Sequence, residues 1–212
     1  IEGFQRAVDI YITGSNAFLL SGELATLLTG RYVEIKMLPL SFKEYVSAFS
    51  GNNNYQSLFL EYMKNGWMPG TISVLDLGIN DINKYLDSIF STVVFKDIMA
   101  RNKITDKTIL ENIIKFILEN IVYLELLRRG YRVYVGKIDD LKIDFVAENQ
   151  GGLKYFQVSL TVRNAKVLER ELRSLQRTGD HYPKYLITMD MDLSSDYDGI
   201  TKINVIDWLL EK

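Results

Sequence analysis

Cysteine is absent from the 212 residues, and histidine occurs once, at His181. Those absences exclude disulfides, iron–sulfur clusters, thiolate zinc and any paired-histidine metal site, and they suit a reducing compartment. No apolar run approaches the roughly 20 residues that a membrane-crossing helix needs. Glu2, Arg6 and Asp9 interrupt residues 1–12, so no secretory leader reads there. Charge of one sign is also missing: 25 Lys and Arg against 27 Asp and Glu leave a net −2. That is too little for a global field that gathers nucleic acid, so any such site has to be a local patch. What is present is 47% hydrophobic and 25% charged residues, enough to build a buried core. The length suits one large domain or two small ones. The expectation is a cytoplasmic protein with no membrane partner.

Along the chain, residues 8–13 (VDIYIT) form a β-branched and aromatic run ending at Gly14-Ser15-Asn16, which predicts a buried strand and a turn. Residues 17–29 have helical spacing with Gly30 as a C-cap, and 32–38 alternate like a second strand that Pro39 ends. Ser41 and Glu44 hold the first and last positions of a capping box. Helical patterns follow at 55–65, 81–101, 106–120 and 121–129; Phe59, Tyr62 and Trp67 read as core. Beyond Gly130 the pattern changes to strand-like runs at 131–136, 142–148 and 153–160. A helix at 165–177, a strand at 185–189, an acidic loop, a last strand at 202–205 and a short helix at 206–210 complete it. The αβββαβ order makes this an α/β module. The word ILENI occurs twice, at 109–113 and 117–121.

The run DIYITGSNAFLLSGELATLLTGRYVEIKMLPLSFKEY, residues 9–45, resembles the second half of the ATPase core in a prokaryotic AAA-type P-loop family that carries a C-terminal domain of unknown function. The resemblance implies that Ser15 and Asn16 stand at the nucleotide-sensing strand end and Arg31 at the arginine near the nucleotide. A polar side chain at a strand's carboxyl end orients water near a terminal phosphate, and a guanidinium neutralises charge there. ATP and Mg²⁺ are the family's cofactors. No G-x-x-x-x-G-K-[ST] occurs in this chain and no strand ending in Asp-Glu precedes the match, so no ATP hydrolysis and no cofactor are expected of it. By the same likeness 66–70 (GWMPG) resembles a turn of the helical lid. The words LENIVYLELLRRGYRVYVGK, IDFVAE, YFQVSLTV and DHYPKYLITMD, within 118–210, resemble the family's C-terminal domain, which is similar to the restriction-endonuclease-like PD-(D/E)xK fold. The implied division is an ATPase remnant at 1–50, a helical lid or linker at 51–116 and the endonuclease-like domain at 117–212. In the family a winged-helix segment separates the two words that meet here at the ILENI repeat. The repeat is therefore read as a junction, and a relative with about 70–80 further residues between the copies is expected.

A PD-(D/E)xK site uses a helix glutamate, a strand aspartate and a Glu-x-Lys on the next strand, because phosphodiester cleavage needs a metal and a deprotonated nucleophile. The resemblance matches Glu119, Asp144 and Gln157 to the acidic positions and Ser159 to the lysine. An amide and a hydroxyl replace two of the groups, which leaves Glu119 and Asp144 to hold Mg²⁺ weakly and the water without its activator. Outside such a role Asp144 reads as a solvent-facing strand charge, and Glu119 as a helix-surface carboxylate paired with Lys115.

Arg163, Lys166, Arg170, Arg173 and Arg177 recur at steps of 3 and 4 and so share an arc of roughly 80°. Ala165, Leu168, Leu172 and Leu175 lie nearly opposite, with Glu169 and Glu171 softening the charged side. The cationic face suits DNA or RNA phosphates or an acidic partner; the loop with Asp190, Asp192, Asp196 and Asp198 is such a partner or a Ca²⁺ loop off the EF-hand spacing. His181 reads as a turn residue. The two front strands expose edges that invite a second copy, or the missing ATPase half, to pair.

Overall fold

The computed structural model describes residues 37–49, 53–75, 107–193 and 195–211, with positions 33, 35 and 51. The strand and helix expected over 8–29, most of the strand at 32–38 and the helix at 81–101 lie outside the described residues. Ser15, Asn16 and Arg31 do so too. The chain divides after Met37, and the elements below belong to the unit 38–212.

Helix α1 (Phe42–Ser47) begins with the capping box: the Ser41 hydroxyl accepts the Glu44 amide at 3.1 Å, and the Glu44 carboxylate accepts the Ser41 amide at 2.7 Å. Asn54 caps α2 (Tyr55–Asn65), accepting the Ser57 amide. Pro69 then opens α3 (Pro69–Leu75). Residues 66–70 thus start a helix as well as making the expected turn, because proline suits the first helical position, where its missing N–H is not needed. The two helices expected over 106–129 are one, α4 (Lys107–Arg128). No Gly or Pro interrupts it, so both copies of ILENI lie on a single rod.

Strands β1 (Arg132–Ile138), β2 (Leu141–Asn149) and β3 (Gly152–Ser159) form an antiparallel meander. Helix α5 (Ala165–Gln176) carries the chain over to β4 (Lys184–Thr188), parallel to β3. A short strand β5 (Ser195–Tyr197) forms within the acidic loop and pairs with β6 (Ile200–Asn204), which is itself parallel to β4. Helix α6 (Val205–Leu210) ends the unit. The sheet order is β1-β2-β3-β4-β6-β5, so the α/β class and the αβββαβ order stand, extended by the β5–β6 hairpin and α6.

One side of the sheet takes α4. Leu118, Ile121, Val122 and Leu126 share a core with Phe145, Ala147, Phe156 and Val158, and with Phe42, Tyr45, Phe59 and Tyr62 of α1 and α2. Trp67 packs against the same core. Packing thus joins segments that sequence likeness assigns to a lid and to an endonuclease-like domain. The other side takes α5, whose Leu172 and Leu175 meet Ile143, Leu186 and Ile200. The result is the layered arrangement of a sheet with both faces covered.

A buried carboxylate ties these pieces together. Glu125 on α4 accepts from Arg128 Nη1 and Arg129 Nε, both at 2.8 Å. Arg128 also donates to the Pro39 carbonyl at 2.6 Å, and Arg129 to the Trp208 carbonyl at 2.8 Å while lying 4.3 Å from the Trp208 ring. Removing one member of such a network leaves charges unpaired in a poorly hydrated place. Glu125→Ala is expected to lower unfolding free energy by about 2–4 kcal/mol, read by urea denaturation. A loss below about 0.5 kcal/mol, the ordinary range for a surface substitution, would show that the node is dispensable.

Candidate functional site

The meander and α5 build a polar centre inside the sheet layer. Asp144 on β2 and Gln157 on β3 are neighbours across the strand pair, and both are buried. The Asp144 amide donates to Gln157 Oε1 at 3.3 Å, and the Val158 amide donates to Asp144 Oδ2 at 3.0 Å. Gln157 Nε2 in turn donates to Glu171 Oε2 at 2.8 Å, and Ser174 Oγ donates to Gln157 Oε1 at 3.3 Å. The second oxygen of Glu171 takes Arg170 Nη2 at 2.6 Å. Buried polar groups of this kind persist when every one of them is bonded, and this set is.

Asp144 is therefore not a solvent-facing strand charge: only 3% of it is exposed. Its Oδ1 pairs with Lys142 Nζ at 3.1 Å. Burial alone would pull the Lys142 pKa down, but the hydrogen bond to Asp144 and the charges of Asp144 and Glu119 prevail and raise it. Glu119, from α4, makes the expected ion pair with Lys115 at 3.5 Å. Its pKa is raised, first by burial and then by the negative charge of Asp144, with Lys115 and Lys142 pulling the other way. The structure thus brings Glu119, Asp144 and Gln157 into one neighbourhood. Ser159 turns away, its hydroxyl donating to the Thr161 carbonyl at 3.2 Å.

These donors do not suit a divalent cation. Both Asp144 oxygens already have partners, Glu119 pairs with an ammonium, and Gln157 spends its amide group on Glu171 and its oxygen on Asp144 N–H and Ser174. Among the described residues no three His, Cys, Asp or Glu side chains converge as a metal cage would require.

Helix α5 is shorter than the run of cations. Arg163 precedes the cap Asn164, and Arg177 is the C-cap, so the helix itself carries Lys166, Arg170 and Arg173. All five are exposed. Arg163 pairs with Asp190 at 3.5 Å and Asp192 at 3.8 Å; Arg170 pairs with Glu171. Lys166, Arg173 and Arg177 have no carboxylate partner among the described residues. The acidic loop is broken up by β5. Asp190 is buried, accepting the Thr161 hydroxyl at 2.7 Å and the Val162 amide at 2.8 Å, while Asp196 accepts the Gly199 amide in the hairpin turn. His181 is exposed in the turn before β4, where Asp180 holds Tyr155 and Lys184.

Three residues of this centre stand outside the candidate positions named from the sequence. Lys142 is two residues from Asp144 on a strand, and that spacing puts both on one face. Glu171 reads as softening a solvated surface, yet it is buried. A signal for that burial exists: it lies three after Leu168 and four before Leu175, within the apolar stripe. Ser174 follows it at the next inward position.

The geometry defines a mixed-sheet α/β protein with a self-satisfied polar centre beside a cationic helix. Its similarities to known proteins extend that description. Residues 2–46 match a family model described as an AAA domain. An uncharacterized protein of Haemophilus influenzae is 31% identical, in an alignment that takes in all of this chain and 75% of that protein. An uncharacterized protein of Methanocaldococcus jannaschii is 33% identical over 108 residues, 45% of this chain and 24% of that one. No solved structure matches. The chain belongs to the family of the Haemophilus protein, and with the AAA domain at its front it is an AAA-type ATPase-related protein. The Haemophilus alignment is 307 positions long against 212 residues here, so 95 positions (307 less 212) have no counterpart in this chain.

The raised pKa of Glu119 has a consequence for stability. The folded state holds that proton to higher pH than the unfolded chain does, so stability from this group is greatest below the ordinary glutamate range and falls as pH rises through the raised value. Glu119→Gln should be more stable than the parent at pH 7, with the advantage vanishing towards pH 4. Paired urea titrations at the two pH values check it, and equal stability at pH 7 would count against the burial and repulsion described.

Proposed function

We propose that this chain is a nucleic-acid-binding relative of AAA-type ATPases that does not itself hydrolyse ATP. The observation that carries the reading is the exposed file of five cations, three on α5 and one at each end of it, of which three have no carboxylate partner among the described residues. Phosphate contacts need such cations at the surface, spaced along one line and free to shed their counterions. The helix is also held rigidly, because Leu172 and Leu175 are in the core and Glu171 is bonded to the sheet. With a net charge of −2, attraction to phosphate is confined to this strip. The nucleotide-sensing roles of Ser15, Asn16 and Arg31 and an association with a second copy or a missing ATPase half belong to the same reading. So does a restriction-endonuclease-like ancestry for the unit, which the αβββαβ order and the mixed sheet support.

The test is binding of a labelled oligonucleotide measured against salt. Affinity should fall steeply as salt rises, and Arg170→Glu with Arg173→Glu should weaken binding at least tenfold and flatten the salt slope by about 2. Binding that ignores both changes would sink the proposal.

A second reading has its own geometry behind it. Asp144 and Gln157 are hydrogen-bonded neighbours, and the charge of Asp144 helps raise the pKa of Glu119, a grouping that supports the acidic positions of a metal-dependent nuclease. Ligand chemistry disfavours it, since an amide stands where a carboxylate would bind the metal and no lysine follows at 159. If it holds, Mg²⁺-dependent cleavage of DNA or RNA is present in the parent and lost in Asp144→Asn. The binding reading expects no cleavage by either protein at any Mg²⁺ concentration tried.

A further inference from the structure

We infer that Lys202 and Arg163 make a phosphate site at the front end of α5, filled by the Asp192 carboxylate until a phosphodiester of a nucleic-acid strand displaces it. The source of the phosphate rests on the reading of α5 above, while the site has its own geometry. Lys202 lies on β6 between β4 and β5, paired with Leu186 and Ser195. Ile200, two residues earlier on the strand, is in the core beneath α5, so the Lys202 side chain leaves the sheet on the face that α5 covers. That side chain is 7% exposed, and Nζ makes one hydrogen bond among the described residues, to Asp192 Oδ2 at 3.1 Å. An ammonium has three N–H bonds to place, so a buried one with a single partner has room for a further acceptor. Arg163 reaches the same carboxylate from just ahead of α5, with Nη2 3.8 Å from Asp192 Oδ1.

The two aspartates beside these cations are held differently. Asp190 is buried, accepts the Thr161 hydroxyl and the Val162 amide, and keeps Arg163 Nε at 3.5 Å. Asp192 is 53% exposed, between the exposed side chains of Met191 and Leu193. Among the described residues the polar contacts of 191–193 are its two ion pairs and Met191 Sδ, 3.6 Å from the Asn204 amide nitrogen. Charge and size decide what replaces it. Lys202 and Arg163 balance Asp190 and Asp192, and a phosphodiester carries the single negative charge that Asp192 gives up. At 3.8 Å the guanidinium stands beyond the roughly 2.7–2.9 Å of a charge-assisted hydrogen bond, and a tetrahedral phosphate, larger than a carboxylate, closes that gap. Arg163 is also the first cation of the exposed file, so a strand lying along α5 brings a phosphate to this end.

The experiment uses the full chain and two probes, inorganic phosphate and a labelled oligonucleotide. Thermal unfolding is compared in phosphate and in chloride at equal ionic strength. Asp192→Asn should melt lower than the parent in chloride and gain several degrees in millimolar phosphate, whereas the parent gains little. Asp198→Asn makes the same charge change at an exposed turn position whose positive φ asparagine tolerates, and it should behave as the parent does. Adding Arg163→Gln or Lys202→Met to Asp192→Asn should remove the phosphate response; Arg163 is 69% exposed, which makes the first of these a surface change. Asp192→Asn should also bind the oligonucleotide about threefold tighter than the parent, with a salt slope steeper by about 1. No phosphate response in Asp192→Asn, or an equal one in Asp198→Asn, would overturn the site. A phosphate response without oligonucleotide binding by any variant would keep the site and overturn the nucleic-acid reading. Oligonucleotide binding that Asp192→Asn leaves unchanged would keep that reading and overturn the displacement.

Discussion

The unit 38–212 hangs on the pairing of Glu125 with two adjacent arginines. Each guanidinium also makes a second bond. Arg128 holds the carbonyl of Pro39, at the entrance to α1, and Arg129 holds the carbonyl of Trp208, near the end of α6. The three segments are far apart in sequence, and hydrophobic burial alone gives them proximity without register. A carboxylate with two directed guanidinia specifies register, because bonds to planar forks tolerate little rotation. The arginines are partly hydrated, which spares the full desolvation penalty of a sealed ion pair. The aromatic cluster of Phe42, Phe59 and Tyr62, with ring centroids 5.1 and 5.4 Å from Phe42, then packs against a helix already set in place.

The sheet's opposite side is organised by polar bonds of another kind. Glu171 would be a liability on the buried face of α5 if Gln157 were also a carboxylate, since two like charges at hydrogen-bond distance cannot both stay ionised. The amide at 157 turns that conflict into a donor–acceptor pair of 2.8 Å. The neutral amide at 157 is thus what lets α5 dock through a glutamate. Docking α5 this way leaves Lys166, Arg173 and Arg177 exposed, so the buried Glu171 and the cationic face have one structural cause.

Much of the fold is legible in the sequence where the signal is local. Ser41 and Glu44 spell a capping box that the structure contains, and residues 55–65 read as the helix that forms there. The three meander strands lie within two residues of their expected bounds, because Gly and Asp turns bracket alternating apolar runs. The rest needs tertiary information. Strand β5 has three residues and exists only through pairing with β6. The unbroken α4 reads as two helices because Asn120 resembles a boundary, although its side chain simply donates to the Phe116 carbonyl at 2.8 Å one turn back. At the centre, resemblance singles out Glu119, Asp144 and Gln157. It does not reveal the burial of Asp144 or the lysine upon it, since burial depends on which face the sheet covers.

The ILENI repeat gains meaning from that single helix. Eight residues turn an α-helix by about 80° beyond two full turns, so identical words cannot present identical faces. The structure shows the consequence: Ile121 of the second copy is buried, while Ile113, its equivalent in the first, is 38% exposed. The last isoleucine of the second copy is matched to the core and that of the first is not. The unbroken rod is what lets Arg128 and Arg129, gathered on Glu125, reach both Pro39 and Trp208.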